Sequence, residues 1–140
     1  MPVEKSAGAV VFRKEQGNTY YLVLQYDENY WGFPKGTIEE GEELRKTTMR
    51  EIEEETGIKD IKFVNGFREE IEYFFKKEGK TIFKTNIYFL AETKTGEIKL
   101  SFEHVGFKWL IYEQALNQLT FDNSKEVLKK ANDLIVENKI

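Results

Sequence analysis

The chain has 140 residues, 40% hydrophobic and 33% charged, with a formal net charge of −4. That length suits a single domain, residues 1–140, and the composition excludes a disordered chain. The absence of cysteine excludes disulfides and thiolate metal sites, and a lone histidine, His104, excludes any site that needs two.

Small and β-branched residues over 6–12 read as a strand, 16–18 as a turn, and 20–26 as a second strand. Residues 31–36 are too rich in Gly and Pro for regular structure and read as a loop. Residues 42–56 read as a helix, with Glu42 and Glu43 suiting its positive end and Gly57 its C-terminal cap. Stretches 61–64 and 67–75 look extended. Residues 76–80 form a hairpin turn, 81–91 its return strand, and 105–111 a further strand. Residues 113–119 and 125–137 are helical; Val127, Leu128, Ala131, Leu134 and Ile135 form an apolar stripe that reads as core packing. Strands flanked by helices imply an α/β sandwich with a mixed sheet. No apolar run approaches the ~18 residues of a membrane span. The first fourteen residues lack the apolar core of a secretion signal, so the expected compartment is the cytoplasm.

The acidity is concentrated. Residues 39–55 hold eight glutamates against Arg45, Lys46 and Arg50, and the rest of the chain is close to neutral. A general nucleic-acid-binding face has the opposite sign, so no stable nucleic-acid partner is expected. On a helix advancing ~100° per residue, Glu51, Glu54 and Glu55 share one face and Glu53 points away. Like charges at these spacings cost ~0.2–0.5 kcal/mol per pair. The cluster is therefore either a solvated face in which Arg50 pairs with Glu54, or a site for a hard divalent cation.

The flanking residues carry more information. Gly36, Glu42, Arg50, Glu51, Ile52, Glu54, Glu55, Gly57 and Ile58 match all nine fixed positions of G-x5-E-x7-R-E-U-x-E-E-x-G-U, with U apolar. This resembles the Nudix box. The resemblance implies a Nudix-type α/β/α sandwich and hydrolysis of a nucleoside diphosphate linked to another moiety. It also implies a Mg²⁺ cofactor, with Mn²⁺ as an alternative. Glu51, Glu54 and Glu55 become candidate ligands or general base, the Gly36 carbonyl a further ligand, and Arg50, with Glu42, the group that orients the acids. Which glutamate takes the proton stays open.

Outside the box, Trp31, Pro34, Lys35 and Gly36 resemble the W-x-x-P-K-G run of the asymmetrical diadenosine tetraphosphate hydrolases. Segments 66–73, 84–92 and 100–104 resemble that group's G-F-x-x-E-x-x-Y, K-T-x-x-Y-x-L-A-E and L-S-x-E-H. Tyr73 stands fifteen residues past Ile58, where ADP-ribose hydrolases tend to carry proline. Tyr30 departs from the histidine of animal members. The resemblance implies cleavage of a dinucleoside polyphosphate into ATP and AMP. Other Nudix substrates, namely 5′-RNA, diphosphoinositol or nucleoside triphosphate, and a non-catalytic nucleotide sensor are the alternatives. Lys35 and Lys84 are candidate phosphate clamps. Tyr73, Tyr88 and Phe121 are candidate adenine-stacking faces, with core packing the alternative for each. Glu103 resembles a glutamate outside the box that reaches the metal, and His104 is either a proton shuttle or a structural hydrogen-bonding group. Oligomeric state has no signature in the sequence.

Overall fold

Alternation along one strand decides the architecture. In the computed structural model, which describes residues 2–140, β1 (Val3–Glu15) runs through the middle of the sheet. Successive side chains of a strand point to opposite faces. Ala9 and Val11 accordingly join one apolar cluster with Leu22, Leu24, Ile52, Ile58 and Phe89, while Val10 and Phe12 join another with Tyr21, Leu90, Leu128 and Ala131. Both faces are covered by helices, which is why the run is apolar without interruption.

The remaining strands are β2 (Asn18–Asp27), β3 (Tyr30–Gly32), β4 (Lys35–Thr37), β5 (Lys62–Phe63), β6 (Glu69–Lys77), β7 (Lys80–Glu92) and β8 (Gly106–Leu110). They form one sheet of order β3-β2-β1-β7-β5, with β4 added to β1, β6 to β7 and β8 to β2. The β1–β7 pair is parallel and the others are antiparallel, so the sheet is mixed. Helix α1 (Leu44–Thr56) packs on one face through Ile52; α2 (Tyr112–Gln118) and α3 (Asp122–Glu137) pack on the other through Ala115, Val127, Leu128, Ala131 and Ile135. The fold is the expected α/β/α sandwich.

The hairpin turn is shorter than 76–80, since β6 runs to Lys77 and β7 starts at Lys80, and α3 starts at Asp122, not 125; two further differences bear on the site. Residues 31–36 are not a loop throughout: β3 and β4 flank Pro34, whose missing N–H no ladder needs there. The approach is possible because residue 8 is glycine. A Cβ on Gly8 would lie 2.1 Å from the Pro34 carbonyl oxygen. Helix α1 also starts at Leu44, after Glu42, which is thereby freed to turn back toward Arg50.

Among the described residues, no helix is long and apolar enough to cross a membrane.

Candidate functional site

Strand register assembles half of the site. Lys84, Asn86 and Tyr88 alternate onto one face of β7, opposite Tyr73, Ile71 and Glu69 of β6 and Glu4, Ser6 and Gly8 of β1. Polar and aromatic groups from three strands thus share one surface. Lys35 reaches it from β4, which pairs at Gly8.

Helix α1 supplies the other half. Arg50 sits among carboxylates: its Nε and Nη2 donate to Glu42 at 2.9 and 3.0 Å, and Nη1 donates to Glu51 at 2.8 Å and to Glu54 at 3.4 Å. Nη2 also reaches the Thr37 carbonyl at 3.1 Å. Hydrogen bonds from Arg50 and Thr47 hold the Glu42 carboxyl down at about 2. Glu51 lies against the bare Cα of Gly36, where a Cβ would stand 1.9 Å from the Glu51 carboxyl carbon. Glu55 is 5% exposed; it accepts the Lys35 backbone N–H at 2.9 Å, and its Oε2 stands 3.2 Å from His104 Nε2, an ion-pair distance without hydrogen-bond alignment. The other ring nitrogen of His104 is 3.0 Å from the Ser101 hydroxyl. Burial raises the Glu55 carboxyl above the ordinary range, with His104 and the Lys35 N–H working against it. Burial likewise raises Glu51, against Arg50. Glu54 stays exposed.

These groups fit a hard divalent cation. The donors are all oxygens, two carboxylates are buried at a cost that a cation would relieve, and Gly36 leaves room for Glu51 beside its own carbonyl. Among the described residues no three acidic or histidine side chains already converge as a cage. Arg50 bonds both Glu51 and Glu54, and Mg²⁺ in any case completes its shell with waters and substrate phosphate. Glu103 is exposed and, among the described residues, makes no hydrogen bond or ion pair.

The shared surface opens as two cavities. One, of about 510 Å³, is bordered by Glu4, Lys35, Tyr73, Lys84 and Phe121; the other, of about 230 Å³, by Tyr30, Tyr73, Asn86, Phe121 and Ser124. Lys35 Nζ lies 5.3 Å from the Tyr26 ring centre. Burial, with Lys84 nearby, brings the Lys35 ammonium down to about 8. Lys84 donates to the Ser6 hydroxyl at 2.6 Å and lies 3.6 Å from Glu4; burial lowers it too, against Glu4. Phe121, 51% exposed, leans on Tyr30 with centroids 5.1 Å apart.

Tyr88 needs correction. It is 1% exposed, its ring meets Phe33 edge to face at 5.4 Å, and it belongs to the core; no face is open to a base. Tyr73, Phe121, Lys35 and Lys84 are brought together, whereas Glu103 touches none of them. Sequence reasoning passed over Tyr30, Glu4 and Asn86 as wall residues. Asn86 stands two residues from Lys84 and Glu4 is its partner on β1, signals that have meaning once the register is known, and nothing comparable marks Tyr30.

Comparison with known proteins bears on the family and the fold. The NUDIX domain family matches residues 3–131. The asymmetrical bis(5′-nucleosyl)-tetraphosphatase of Mus musculus is 32% identical over 94% of this chain and 95% of its own length, and that of Caenorhabditis elegans 31% identical over 91% and 94%. The crystal structure of a C. elegans Ap4A hydrolase binary complex superposes with a TM-score of 0.84 and 29% identity, covering 96% of this chain and 98% of that one. Fold, box and matched relatives together show that the chain belongs to the Nudix hydrolase family.

Proposed function

We propose that the protein hydrolyses diadenosine tetraphosphate asymmetrically, giving ATP and AMP, with Mg²⁺ or Mn²⁺ as cofactor. The observation that carries this reading is the wall two cavities share: Tyr30, Tyr73 and Phe121 border both, Lys35 and Lys84 border one of them, and the Lys35 backbone N–H donates to Glu55 of α1. A long anionic chain with a flat base at its end has those requirements in that order. The similarity to asymmetrical tetraphosphatases supports the same substrate.

Each group then has a task. Tyr73 and Phe121 flank the base, since ring stacking contributes ~1–3 kcal/mol per base. Lys35 and Lys84 hold the phosphate chain as point charges. Glu51, Glu54, Glu55 and the Gly36 carbonyl would hold the cation, with Glu103 as a further candidate ligand, and Arg50 orients Glu51 and Glu54. A divalent cation bound there neutralises phosphate oxygens and acidifies water. One glutamate of α1 accepts the proton of the attacking water as its oxygen bonds to phosphorus and the bridging P–O bond breaks. His104 positions Glu55. We place the activity in the cytoplasm, the compartment expected from the sequence.

The test is product analysis. With Mg²⁺, diadenosine tetraphosphate should give equimolar ATP and AMP by chromatography. Two equivalents of ADP would overturn the reading, and so would inertness toward this substrate alongside brisk cleavage of 5′-triphosphorylated RNA, diphosphoinositol or nucleoside triphosphates.

A further inference from the structure

Phe102 is 95% exposed, the most open large apolar side chain among the described residues. Single apolar residues are ordinary on protein surfaces, so exposure alone says little. Its placement says more. Phe102 and Glu103 form the tip of a β-turn that the His104 N–H closes onto the Ser101 carbonyl at 3.2 Å. The Ser101 hydroxyl and the His104 ring meet across that turn at 3.0 Å. One end is fastened to α1, where the Ser101 N–H donates to the Glu55 carbonyl at 3.1 Å; the other is fastened to β2, where the Val105 N–H donates to the Gln25 carbonyl at 2.9 Å. A fastened turn thus holds an aromatic ring in water beside the last turn of α1, which carries Glu54 and Glu55.

The same turn stands at one end of a row of rings. His104 meets Tyr26 with centroids 4.6 Å apart, Tyr26 stacks on Tyr30 at 4.7 Å, and Tyr30 leans on Phe121 at 5.1 Å. Tyr30 and Phe121 border the cavity suited to a base, Lys35 Nζ lies over Tyr26 in the middle of the row, and Glu55 adjoins His104. Along the row come base cavity, phosphate clamp, carboxylate and turn. A dinucleoside polyphosphate has a base at each end of its phosphate chain. With one base in the cavity and the chain drawn past Lys35 to the carboxylates, the second nucleoside emerges on the side of the turn, in water.

On the reading that the substrate is a dinucleoside polyphosphate, we propose that Phe102 is a specificity-determining residue for its second nucleoside: the ring stacks on the base at the far end of the phosphate chain. Stacking uses a face that every base has, so Phe102 selects for the presence of a second base and not for its identity.

The experiment compares diadenosine tetraphosphate with adenosine 5′-tetraphosphate, which has the same phosphate chain and a single adenosine. kcat and KM are measured for both, with Mg²⁺, in wild type, Phe102→Ala, Phe102→Leu and Phe102→Tyr. Phe102→Ala and Phe102→Leu should lower kcat/KM for the dinucleotide by about 5- to 20-fold, chiefly through KM, and leave the mononucleotide as in wild type. Phe102→Tyr keeps a flat ring and should keep the wild-type ratio of the two substrates. All three variants should melt with wild type, since the ring packs on nothing. Equal losses on both substrates place the effect in the turn or in Glu103 and overturn the proposal, as does a dinucleotide kcat/KM untouched by Phe102→Ala. A binding arm, equilibrium dialysis of both nucleotides with Ca²⁺ in place of Mg²⁺, keeps this proposal apart from the activity. If the dinucleotide binds more tightly than the mononucleotide through Phe102 yet is not cleaved, the stacking role stands and the proposed hydrolysis falls. If it is cleaved to ATP and AMP equally well by Phe102→Ala, the hydrolysis stands and the stacking role falls.

Discussion

Glu54 and Gly36 separate chemistry from stability at the level of single residues. Glu54 is exposed and meets Arg50 only at 3.4 Å, so Glu54→Gln should change the stability of the metal-free protein by no more than about 0.5 kcal/mol. Its kcat should nevertheless fall by about 10²-fold or more if the carboxylate serves the metal or the proton. Melting curves and turnover measured side by side decide this, and near-wild-type turnover removes Glu54 from the site. Gly36→Ala puts a methyl group 1.9 Å from the Glu51 carboxyl carbon. Overpacking of that kind costs about 1–3 kcal/mol, and the displaced Glu51 should take most of the activity with it; denaturant melts and kcat/KM report the two effects. Glu42 gives a pH signature. Its carboxyl is held at about 2 in the folded chain against 4.5 ordinarily, so the unfolded chain binds more protons between those values. Its contribution is present above pH 4.5 and is lost as pH falls toward 2. Acid titration of stability should be shallower across that window in Glu42→Gln. The pairing of Tyr73 with Tyr88 marks the limit of residue-level reading: both are tyrosines in strands, but Tyr73 lies on β6 at the cavity mouth and Tyr88 on β7 under the helices. How deeply a tyrosine on that shared face is covered depends on neighbours that a linear sequence does not display.

The long elements were legible because their signals are local. Apolar and β-branched runs marked β1, β2 and β7, and the glutamate run ending in Gly57 marked α1. Gly57 adopts φ 78° and donates its N–H to the Glu53 carbonyl, and a Cβ there would come within 3.3 Å of Lys99 Cβ. Gly57→Ala should therefore cost about 1–2 kcal/mol, read as a lower midpoint in denaturant. The short elements were illegible for the opposite reason. β3 and β4 have three residues each, and what makes β4 a strand is the row of small residues Ser6, Ala7 and Gly8 across from it. Glycine and proline argued for a loop on composition alone, and tertiary pairing overrode them. The start of α1 was misplaced likewise. Glu42 looked like a first-turn acid, but its bonds to Arg50 and Thr47 draw it out of the helix.

Over the whole molecule, the acidic segment 39–55, which runs from the entry loop into α1, should make stability responsive to divalent cations. A ligand that binds only the folded state at 100 times its dissociation constant adds ~2.7 kcal/mol. Mg²⁺ should raise the melting temperature of wild type and raise it less in Glu51→Gln, whereas equal shifts would argue against a site at Glu51. The sandwich class followed from alternating strands and flanking helices. The strand order did not, because β5, β6 and β8 each join a partner that is not their chain neighbour or attach off the main path. The box residues were legible as a constellation, since one helix and its entry loop hold them. The cavity walls come from β1, β2, β3, β4, β6, β7 and the start of α3, and no single stretch of chain announces them.

The parallel pairing of β1 with β7 has a consequence for synthesis. Val3 meets Phe83 and Phe12 meets Glu92, so each residue of the central strand waits for one eighty positions downstream. Closing so large a loop comes before any reward from the ladder, and such non-local pairing slows folding. On the ribosome the N-terminal strand emerges long before its partner, with its apolar run uncovered. Nascent chains arrested before residue 83 should be cleaved readily by added protease, and protection should set in only once the whole of β7 has cleared the exit tunnel.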